Sequence, residues 1–321
     1  MKSDSIIDQF ALDVDKGLSE KPKNLSSKYF YDVKGDQIFQ QIMRMPEYYL
    51  TRSEFEIFES QKQEILDSIR GEKFNLVELG AGDGLKTKIL IEHFLKEKVE
   101  FEYFPIDISA DVLEQLKKDL SKNFLELKVN CLNYEYFKAL EKLNEMDSSP
   151  KVLLFLGGNI GNFSNQQALS FYSQLAQILN PKDSLISGID LKKNPRIILE
   201  AYNDKAGITR AFNMNLLERM NRELGANFII SQFDHYPSYD PKTGEAQSYI
   251  VSKMDQSVEI KSLAKTFHFE AWETIQVEIS KKYHPEEISE LAQKSGFEMI
   301  KNFSDSKSYF VDSLWRRKTS P

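Results

Sequence analysis

The stretch Asn75-Leu-Val-Glu-Leu-Gly-Ala-Gly-Asp-Gly-Leu85 decides the fold of this chain. Its mostly apolar part, residues 76–79, is typical of a central strand in a parallel sheet, which is buried on both faces. The glycines that follow have no Cβ, so the backbone can turn sharply and a ligand can come close. A helical pattern then begins near Lys86. A strand, a glycine turn and a helix in this order predict a ligand site at the carboxyl end of the strand.

The spacing of the glycines bears on the kind of ligand. Gly80-x-Gly82-x-Gly84 is not the dinucleotide fingerprint, which needs its third glycine one residue later. Glu78, an acidic residue just before the first glycine, is instead typical of sites for S-adenosylmethionine (SAM). An ordinary glycine turn between a strand and a helix is the alternative that this segment alone leaves open.

Composition narrows the class of protein. The chain has 321 residues, of which 41% are hydrophobic and 28% charged, as expected of a globular, soluble protein with one large or two moderate domains. A net charge of −7 argues against binding to nucleic acids or anionic membranes, because both need surplus Lys and Arg. No apolar run reaches the roughly 18 to 20 residues of a membrane span, and the first residues have no signal-peptide core. We therefore expect a cytoplasmic protein.

Disulfides and metal sites are not expected. Cys131 is the only cysteine, so it has no partner within the chain, and a reducing compartment fits this composition. The four histidines show no spacing typical of metal ligands. We expect a monomer that acts on a small molecule.

Strands and helices alternate through the middle of the chain. The predicted strands cover residues 76–79, 101–106, 125–129, 152–156 and 184–189. Such alternation predicts a parallel sheet covered by helices on both faces. A helix is expected before the first strand, with Ser53 as its N-cap and Glu56 completing a capping box. The alternation stops near Lys192, and residues 228–279 have the pattern of short antiparallel strands.

The predicted fold class is therefore α/β, with two domains built from discontinuous segments. A doubly wound, Rossmann-like domain would comprise residues 53–192 plus 284–321. A second, α+β domain would comprise residues 1–52 plus 193–283. The first is predicted to bind the nucleotide-like ligand, and the second the substrate.

Polar residues follow the predicted strands where ligands bind in doubly wound sheets. Asp107 ends the second strand, and its carboxylate can accept hydrogen bonds from ribose hydroxyls. Asn133 follows the third strand, and its amide oxygen can meet an adenine amino group. Lys86 could pair with the carboxylate of the SAM methionyl part. The alternatives are a helix-start residue at Asp107, a turn residue at Asn133 and a solvated helix residue at Lys86.

Several further motifs occur in order along nearly the whole chain. They are Tyr29-Phe-Tyr-Asp-x-x-Gly35, Pro46-Glu-Tyr-Tyr-x-Thr-Arg52, Glu78-Leu-Gly-x-Gly82, Asp107-Ile-Ser109, Leu156-Gly-x-x-Ile-Gly-Asn162, Ala201-Tyr-Asn-Asp204 and Glu278-Ile-Ser280. Together they resemble the histidine-specific, SAM-dependent methyltransferase family. The resemblance implies methylation of the α-amine of an amino acid, L-histidine first of all, with trimethylation to hercynine in ergothioneine biosynthesis.

The resemblance also implies roles for individual residues. The residues that would hold SAM are Gly80, Lys86, Asp107, Asn133 and Tyr134. Those that would hold the amino-acid part of the substrate are Tyr48, Asn162 and Tyr202, and those for the imidazole are Glu278 and Ser280. Tyr31 and Phe39 would shape the pocket, and either Tyr31 or Tyr48 could relay the proton of the amine through water.

Two departures from the family pattern concern the ligands. Asn133 stands where the family commonly has Asp, and Ser248 or Tyr249 falls near a pocket methionine of the family. The same chemistry on tryptophan or a histidine derivative is therefore an alternative, and a SAM-binding regulatory protein without turnover is another. Glu278 could also lie on the solvent face of its strand, and Tyr48 could serve packing alone.

Overall fold

The computed structural model of the chain describes residues 2–69 and 73–318, and of residues 2–8 only the backbone. Its α-helices are, in chain order, α1 Lys2–Ser19, α2 Val33–Arg44, α3 Tyr49–Ser68, α4 Thr87–Lys96, α5 Ala110–Asn123, α6 Tyr136–Met146, α7 Asn165–Ile178, α8 Pro195–Tyr202, α9 Ile208–Leu224 and α10 Pro285–Lys294. Its strands are β1 Lys23–Asn24, β2 Lys73–Leu79, β3 Glu100–Ile106, β4 Lys151–Phe155, β5 Ser184–Asp190, β6 Phe233–Asp240, β7 Glu245–Ser252, β8 Gln256–Ile260, β9 Lys265–Phe269, β10 Thr274–Lys281, β11 Phe297–Ser304 and β12 Phe310–Arg317. Short 3₁₀ helices cover Ser27–Phe30, Asn159–Asn162, Ile230–Gln232 and Lys261–Leu263.

The chain divides into two compact units, each made from two segments. The first unit comprises Met1–Tyr49 and Lys193–Lys281, and the second comprises Leu50–Lys192 and Lys282–Pro321. Each unit has its own sheet and its own hydrophobic core, so each is described by itself.

The second unit contains a six-stranded sheet in the order β11-β12-β5-β4-β2-β3. The four strands β3, β2, β4 and β5 are parallel, whereas β12 and β11 continue the sheet in antiparallel pairing. All residues of β4 and β5 are buried, as expected of parallel strands with helices on both faces. The sheet confirms the predicted α/β class.

Helices cover both faces of this sheet. On one face, α6, α7 and α10 share a core with the strands, which includes Val77, Leu153 and Trp315. On the other face, Phe94 of α4 packs edge-on against Phe74 of β2, with ring centroids 5.8 Å apart. The alternation of the chain from strand to helix therefore produces the doubly wound arrangement that the sequence predicts.

The strand predicted at 125–129 does not form. Residues 125–126 form a turn, in which the Leu127 N–H donates to the Phe124 carbonyl at 3.2 Å. Isolated bridges to β3 follow, Tyr103 with Val129 and Ile106 with Leu132. Pro105 stands between these bridges and has no N–H to donate, so they do not join into a ladder.

The prediction that Ser53 caps a helix is also wrong. Helix α3 begins at Tyr49, which places Ser53 inside it. The Ser53 hydroxyl donates to Asp305 Oδ2 at 3.3 Å, and Glu56 Oε1 accepts from the Ser306 N–H at 2.8 Å. Both side chains therefore bind a turn that is distant in sequence instead of their own helix terminus.

The first unit is built on a four-stranded sheet in the order β1-β10-β7-β6. Strand β10 is parallel to β1 and antiparallel to β7, and β7 is antiparallel to β6. Helices α1, α2 and α9 share the core of this unit with the sheet and with the β8–β9 hairpin. Among the described residues of the chain, no helix is long and apolar enough to span a membrane.

Candidate functional site

The glycine turn after β2 leaves space for a ligand. Gly80, Gly82 and Gly84 have φ angles of 70°, 53° and 60°, in the left-handed region that favours glycine. A Cβ at Gly82 would meet no atom within 4 Å, so the space beside the backbone is open there. The Gly82 N–H donates to Asp107 Oδ2 at 3.3 Å, which brings the end of β3 to the same turn.

Backbone groups fix the Asp107 carboxylate. Besides the bond from Gly82, Oδ1 of Asp107 accepts from the Ser109 N–H at 2.9 Å. Ser109 in turn caps α5, because its hydroxyl accepts from the Val112 N–H. The carboxylate is half buried and held beside the open space at Gly82, where it can accept hydrogen bonds from a ligand.

The loop that contains Asn133 lies against the loop after β3. Nδ2 of Asn133 donates to the carbonyls of Asp107 at 3.0 Å and Ile108 at 2.9 Å. Both N–H bonds of the amide are then used, and its oxygen is the group left to accept from a ligand. Tyr134 is 37% exposed and lies under the ammonium groups of Lys138 and Lys142, 5.8 and 4.9 Å from the ring centroid.

Tyr136 also faces this turn, although no sequence motif singles it out. A Cβ at Gly80 would stand 2.8 Å from the Tyr136 hydroxyl. An aromatic residue at a helix start is usually a packing residue, and the Tyr136 ring does contact Phe155 and Phe171. Only the geometry of the turn reveals where its hydroxyl points.

Lys86 is held by a buried carboxylate. Its ammonium forms a salt bridge with Glu54 of α3, whose side chain is 1% exposed, whereas the Lys86 side chain retains 21% exposure. Burial would lower the pKa of Lys86, but the charge and hydrogen bond of Glu54 outweigh this and raise the pKa. The lysine is therefore charged and partly accessible. The sequence did not predict Glu54 as its partner.

Glu54 also joins the turn after β4 to this network. Its Oε1 accepts from the Gly157 N–H at 2.8 Å. Gly188 on β5 makes room for it, because a Cβ there would stand 2.3 Å from the same oxygen. Asp312 of β12 is fully buried. Burial first, and then the Glu54 carboxylate, raise the pKa of Asp312 well above its usual range, which favours its protonated form.

Glu78 is buried and does not point to the open space at the glycines. It is 4% exposed and accepts a hydrogen bond from the Tyr103 hydroxyl. Burial raises the pKa of Glu78 to about 7. The acidic residue that precedes the glycines therefore belongs to the interior of the second unit.

Asn162 ends the 3₁₀ helix that follows β4. Gly157 and Gly158 before it have φ angles of 78° and 71°, which let the chain turn back over the sheet. Asn162 itself is half buried. The turn brings an amide, both donor and acceptor, to the carboxyl end of the parallel strands.

The second unit therefore fits SAM. The open cradle at Gly82 admits a ligand close to the backbone, and the surrounding groups complement the three parts of the cofactor. The Lys86 ammonium suits a carboxylate, the Asp107 carboxylate suits ribose hydroxyls, and the Asn133 oxygen suits an adenine amino group.

In the first unit, a β-bulge decides where Glu278 points. Ile275 pairs with Ile250 of β7, and Glu278 pairs with Ser248, so two residues of β10 oppose one of β7 near Val277. Regular alternation would place Ile275 and Glu278 on opposite faces. Because of the extra residue, Glu278 lies on the face that carries buried Ser248, and not on the solvent face of a regular strand. Bulges re-aim side chains in this way and often occur beside active sites.

Two hydrogen-bonded pairs lie beyond the bulge. The Ser248 hydroxyl donates to Glu278 Oε2 at 3.0 Å, and the Tyr202 hydroxyl donates to Ser280 Oγ at 2.8 Å. Ser248, Ser280 and Tyr202 are all buried. The structure thus brings Tyr202 and Ser280 together, and it gives Glu278 a partner in Ser248, one of the two residues that fall near the methionine of the family pattern.

Aromatic rings of the first unit form a cluster around Phe39. Its ring lies 5.5 Å from Tyr31, 6.4 Å from Tyr48 and 5.8 Å from Phe212, measured between centroids. Tyr31 is 44% exposed and Tyr48 is half buried. The two tyrosines predicted to act on the amine therefore pack against one phenylalanine. The sequence did not predict Phe212 as a member of the cluster.

Comparison with known proteins identifies the family. Residues 10–317 match the model of the family described as histidine-specific methyltransferase, SAM-dependent. The chain belongs to this family. It is accordingly a SAM-dependent methyltransferase, as the resemblance of its motifs implies, and SAM is its cofactor.

Relatives of this methyltransferase carry related names. The histidine N-alpha-methyltransferase of Mycolicibacterium smegmatis is 33% identical over 91% of this chain and 90% of its own length. Ergothioneine biosynthesis protein 1 of Schizosaccharomyces pombe is 28% identical over 89% of this chain and 38% of its own. A 4-dimethylallyltryptophan N-methyltransferase of Claviceps purpurea is 29% identical over 63% of this chain and 61% of its own.

Proposed function

We propose that this methyltransferase transfers methyl groups from SAM to the α-amine of L-histidine and forms the trimethylated betaine hercynine, as a step of ergothioneine biosynthesis. Membership of the histidine-specific family and the name of the relative from M. smegmatis support the substrate. The name of the relative from S. pombe supports the pathway. The observation that carries the proposal furthest is the bulge in β10, because of which Glu278 and Ser280 lie on the same face of the sheet as Ser248.

Histidine is recognised through its imidazole in this proposal. An imidazole carries one N–H donor and one acceptor nitrogen. Glu278 would accept from the N–H, and Ser280 would serve the other nitrogen. Ser248 and Tyr202 support these two residues through the hydrogen bonds at 3.0 and 2.8 Å. A site built from such polar pairs rejects amino acids that leave them unpaired, because buried polar groups without partners cost free energy.

The amino-acid part of the substrate needs its own partners. We assign Tyr48, Asn162 and Tyr202 to it. The Asn162 amide can meet a carboxylate through its N–H groups and an amine through its oxygen. Gly80, Lys86, Asp107, Asn133 and Tyr134 are assigned to SAM, which supplies an electrophilic methyl group on its sulfonium.

The amine must lose a proton before it can attack, because an ammonium has no lone pair. The hydroxyls of Tyr31 and Tyr48 are the groups proposed to relay that proton through water. Their rings, packed on Phe39, would also attract the methylammonium that forms, by roughly 0.5–2 kcal/mol for a cation over an aromatic face. That attraction favours retention of the partly methylated product for further transfers.

A second candidate is the same reaction on another amino acid, such as tryptophan or a histidine derivative. The contact of Ser248 with Glu278, near the place of the family methionine, is the observation that favours it. The relative from C. purpurea is named for a tryptophan derivative.

Mass spectrometry of the products distinguishes these possibilities. The protein is incubated with SAM and, in separate reactions, with each common amino acid and with 4-dimethylallyltryptophan. The proposal expects masses of histidine plus one, two and three methyl groups, and hercynine as the end product. Methylation of tryptophan or its derivative in preference to histidine would favour the second candidate. No methylated product with any amine, from a protein that binds SAM, would reject both.

The proposal extends to the cellular location and the oligomeric state of the protein. We infer a cytoplasmic monomer, since Cys131 is the single cysteine of the sequence and reduced thiols are typical of that compartment. Light scattering of the purified protein measures its mass directly. A mass of 37.2 kDa is expected, and a multiple of it would exclude the monomer.

A further inference from the structure

We infer that Tyr136 is a further cofactor-binding residue, whose hydroxyl forms a hydrogen bond with the nucleoside part of SAM at the Gly80 turn. This inference depends on the SAM site alone and not on which amine is methylated. Gly80 could not carry a side chain, because its Cβ would stand 2.8 Å from the oxygen of the Tyr136 hydroxyl.

The Tyr136 ring is fixed by packing. Its centroid lies 6.2 Å from that of Phe155 and 6.4 Å from that of Phe171, both in edge-to-face geometry. Phe155 is the last residue of β4, and Phe171 belongs to the core of the second unit. The ring is therefore anchored in the sheet, and the direction of its hydroxyl is set before any ligand arrives.

The hydroxyl itself has no hydrogen-bond partner among residues 2–69 and 73–318. Tyr136 is only half buried, so the group lies where solvent or a ligand can meet it. Tyr and Trp polar groups in apolar surroundings usually find a partner. A tyrosine that is anchored in the core but has no partner for its hydroxyl at the glycine turn is expected to bind the ligand of that turn.

The neighbouring charge indicates which part of the ligand is met. Burial and then the carboxylate of Asp107 raise the pKa of Tyr136 to about 12, so the hydroxyl is protonated at neutral pH and can donate. Asp107 is the residue suited to ribose hydroxyls. The hydroxyl of Tyr136, near that carboxylate, is therefore assigned to the nucleoside and not to the methionyl part.

Tyr136→Phe tests the assignment, with Tyr172→Phe as a matched control. Tyr172 belongs to the same core, but its hydroxyl lies 2.5 Å from Ser187 Oγ inside the protein. S-Adenosylhomocysteine and adenosine are the probes, because neither can donate a methyl group. Calorimetry measures both dissociation constants and thermal unfolding measures Tm for each variant.

Opposite outcomes are expected from the two variants. Tyr136→Phe should raise both dissociation constants about 3- to 10-fold, as for the loss of one neutral hydrogen bond, and leave Tm unchanged. Tyr172→Phe should lower Tm and leave both dissociation constants unchanged. The inference is overturned if Tyr136→Phe leaves S-adenosylhomocysteine binding unchanged, or if only S-adenosylhomocysteine and not adenosine binds more weakly. Neither result depends on histidine, so the proposed function is tested separately.

Discussion

The two units hold their candidate ligand groups by different means. In the second unit, backbone N–H groups fix Asp107 and a buried salt bridge fixes Lys86. In the first unit, Glu278 and Ser280 are held by other side chains, Ser248 and Tyr202, on a strand with an extra residue. The first arrangement suits a ligand that does not vary, whereas the second can change its ligand by substitution of a single supporting side chain.

The largest effect is expected where the second unit depends on its buried ion pair. Glu54→Gln would leave the Lys86 ammonium without its counter-charge, and breaking a buried pair in this way costs roughly 3–5 kcal/mol. Urea unfolding measures the free energy. Glu56→Gln is the matched control on the same helix, since it is exposed and its amide oxygen can still accept from the Ser306 N–H. Equal stability of the two variants would contradict the role of Glu54.

The pH dependence of stability should also differ between the units. In the second unit, burial raises the pKa of Glu78 from 4.5 to about 7, so the folded protein holds a proton that the unfolded chain releases above pH 4.5. The stability contributed by this protonation is complete below pH 4.5 and is lost as the pH rises through 7. The loss amounts to about 3 kcal/mol, at 1.36 kcal/mol per pKa unit. Glu78→Gln, which resembles the protonated form, should remove this loss in urea unfolding at pH 5 and pH 8. An unchanged loss would exclude Glu78 as its source.

His235 of the first unit should act in the opposite direction. Burial lowers its pKa from 6.5 to about 4. Between these pH values the unfolded chain therefore binds a proton at His235 that the folded protein does not bind. Stability is then lost as the pH falls from 6.5 towards 4. His235→Gln should reduce the loss in that interval, measured by urea unfolding at pH 4.5 and pH 7. A loss identical to that of the parent protein would rule out the histidine.

Substitution of Glu278 should separate substrate from cofactor. Glu278→Ala removes the proposed partner of the imidazole N–H, and kcat/KM for histidine should fall about 100-fold, as for the loss of a charged hydrogen bond. The dissociation constant of S-adenosylhomocysteine should stay the same. Steady-state kinetics and calorimetry measure the two quantities. Unaltered histidine kinetics would remove Glu278 from the site.

Asp107 should show the reverse pattern. Asp107→Ala removes the carboxylate that the Gly82 and Ser109 N–H groups orient. S-Adenosylhomocysteine should bind about 10-fold more weakly, since the group is only half buried and water can replace part of its interaction. Calorimetry measures this, with methionine as the ligand that lacks ribose. An unchanged dissociation constant would show that the ribose contact lies elsewhere.

The smallest effect is expected at Ser248. Ser248→Ala removes the hydroxyl that donates to Glu278, and KM for histidine should rise about 3-fold, as for a neutral donor that only orients its partner. Ser248→Thr keeps a hydroxyl and should restore most of the loss. Similar KM values for the Ala variant and the parent protein would show that Glu278 does not need the Ser248 hydroxyl to bind histidine.

The sequence predicts the second unit better than the first, for a physical reason. Its glycine turn, Asp107 and the Ser109 cap depend on neighbours within a few residues, so local patterns contain the information. The strand predicted at 125–129 does not form because residues 125–126 turn, and because Pro105, on another strand, cannot donate to the residues that follow. The prediction that Ser53 caps a helix failed because the hydrogen-bond partner of its hydroxyl is Asp305, which is distant in sequence. Contacts between distant segments leave no local periodicity.

The same limit applies to the candidate site. The motifs name Glu278 and Ser280, but only the register of β10 against β7 shows which way they face. Glu54 and Tyr136 belong to none of the motifs, since Glu54 is an acidic residue within a helix and Tyr136 an aromatic residue at a helix start. Their importance follows from Gly188 and Gly80, glycines whose missing side chains leave room for them.

The bulge near Val277 makes the register of one strand a determinant of chemistry. If Val277 instead paired with Ser248 in a regular ladder, every side chain from Glu278 onwards would exchange faces. Glu278 and Ser280 would then turn away from Ser248 and Tyr202 without any change in their own identity. Deletion of Val277 would, in contrast, keep Glu278 opposite Ser248, so in a lineage or an engineered library a gap at this one position is compatible with the same site.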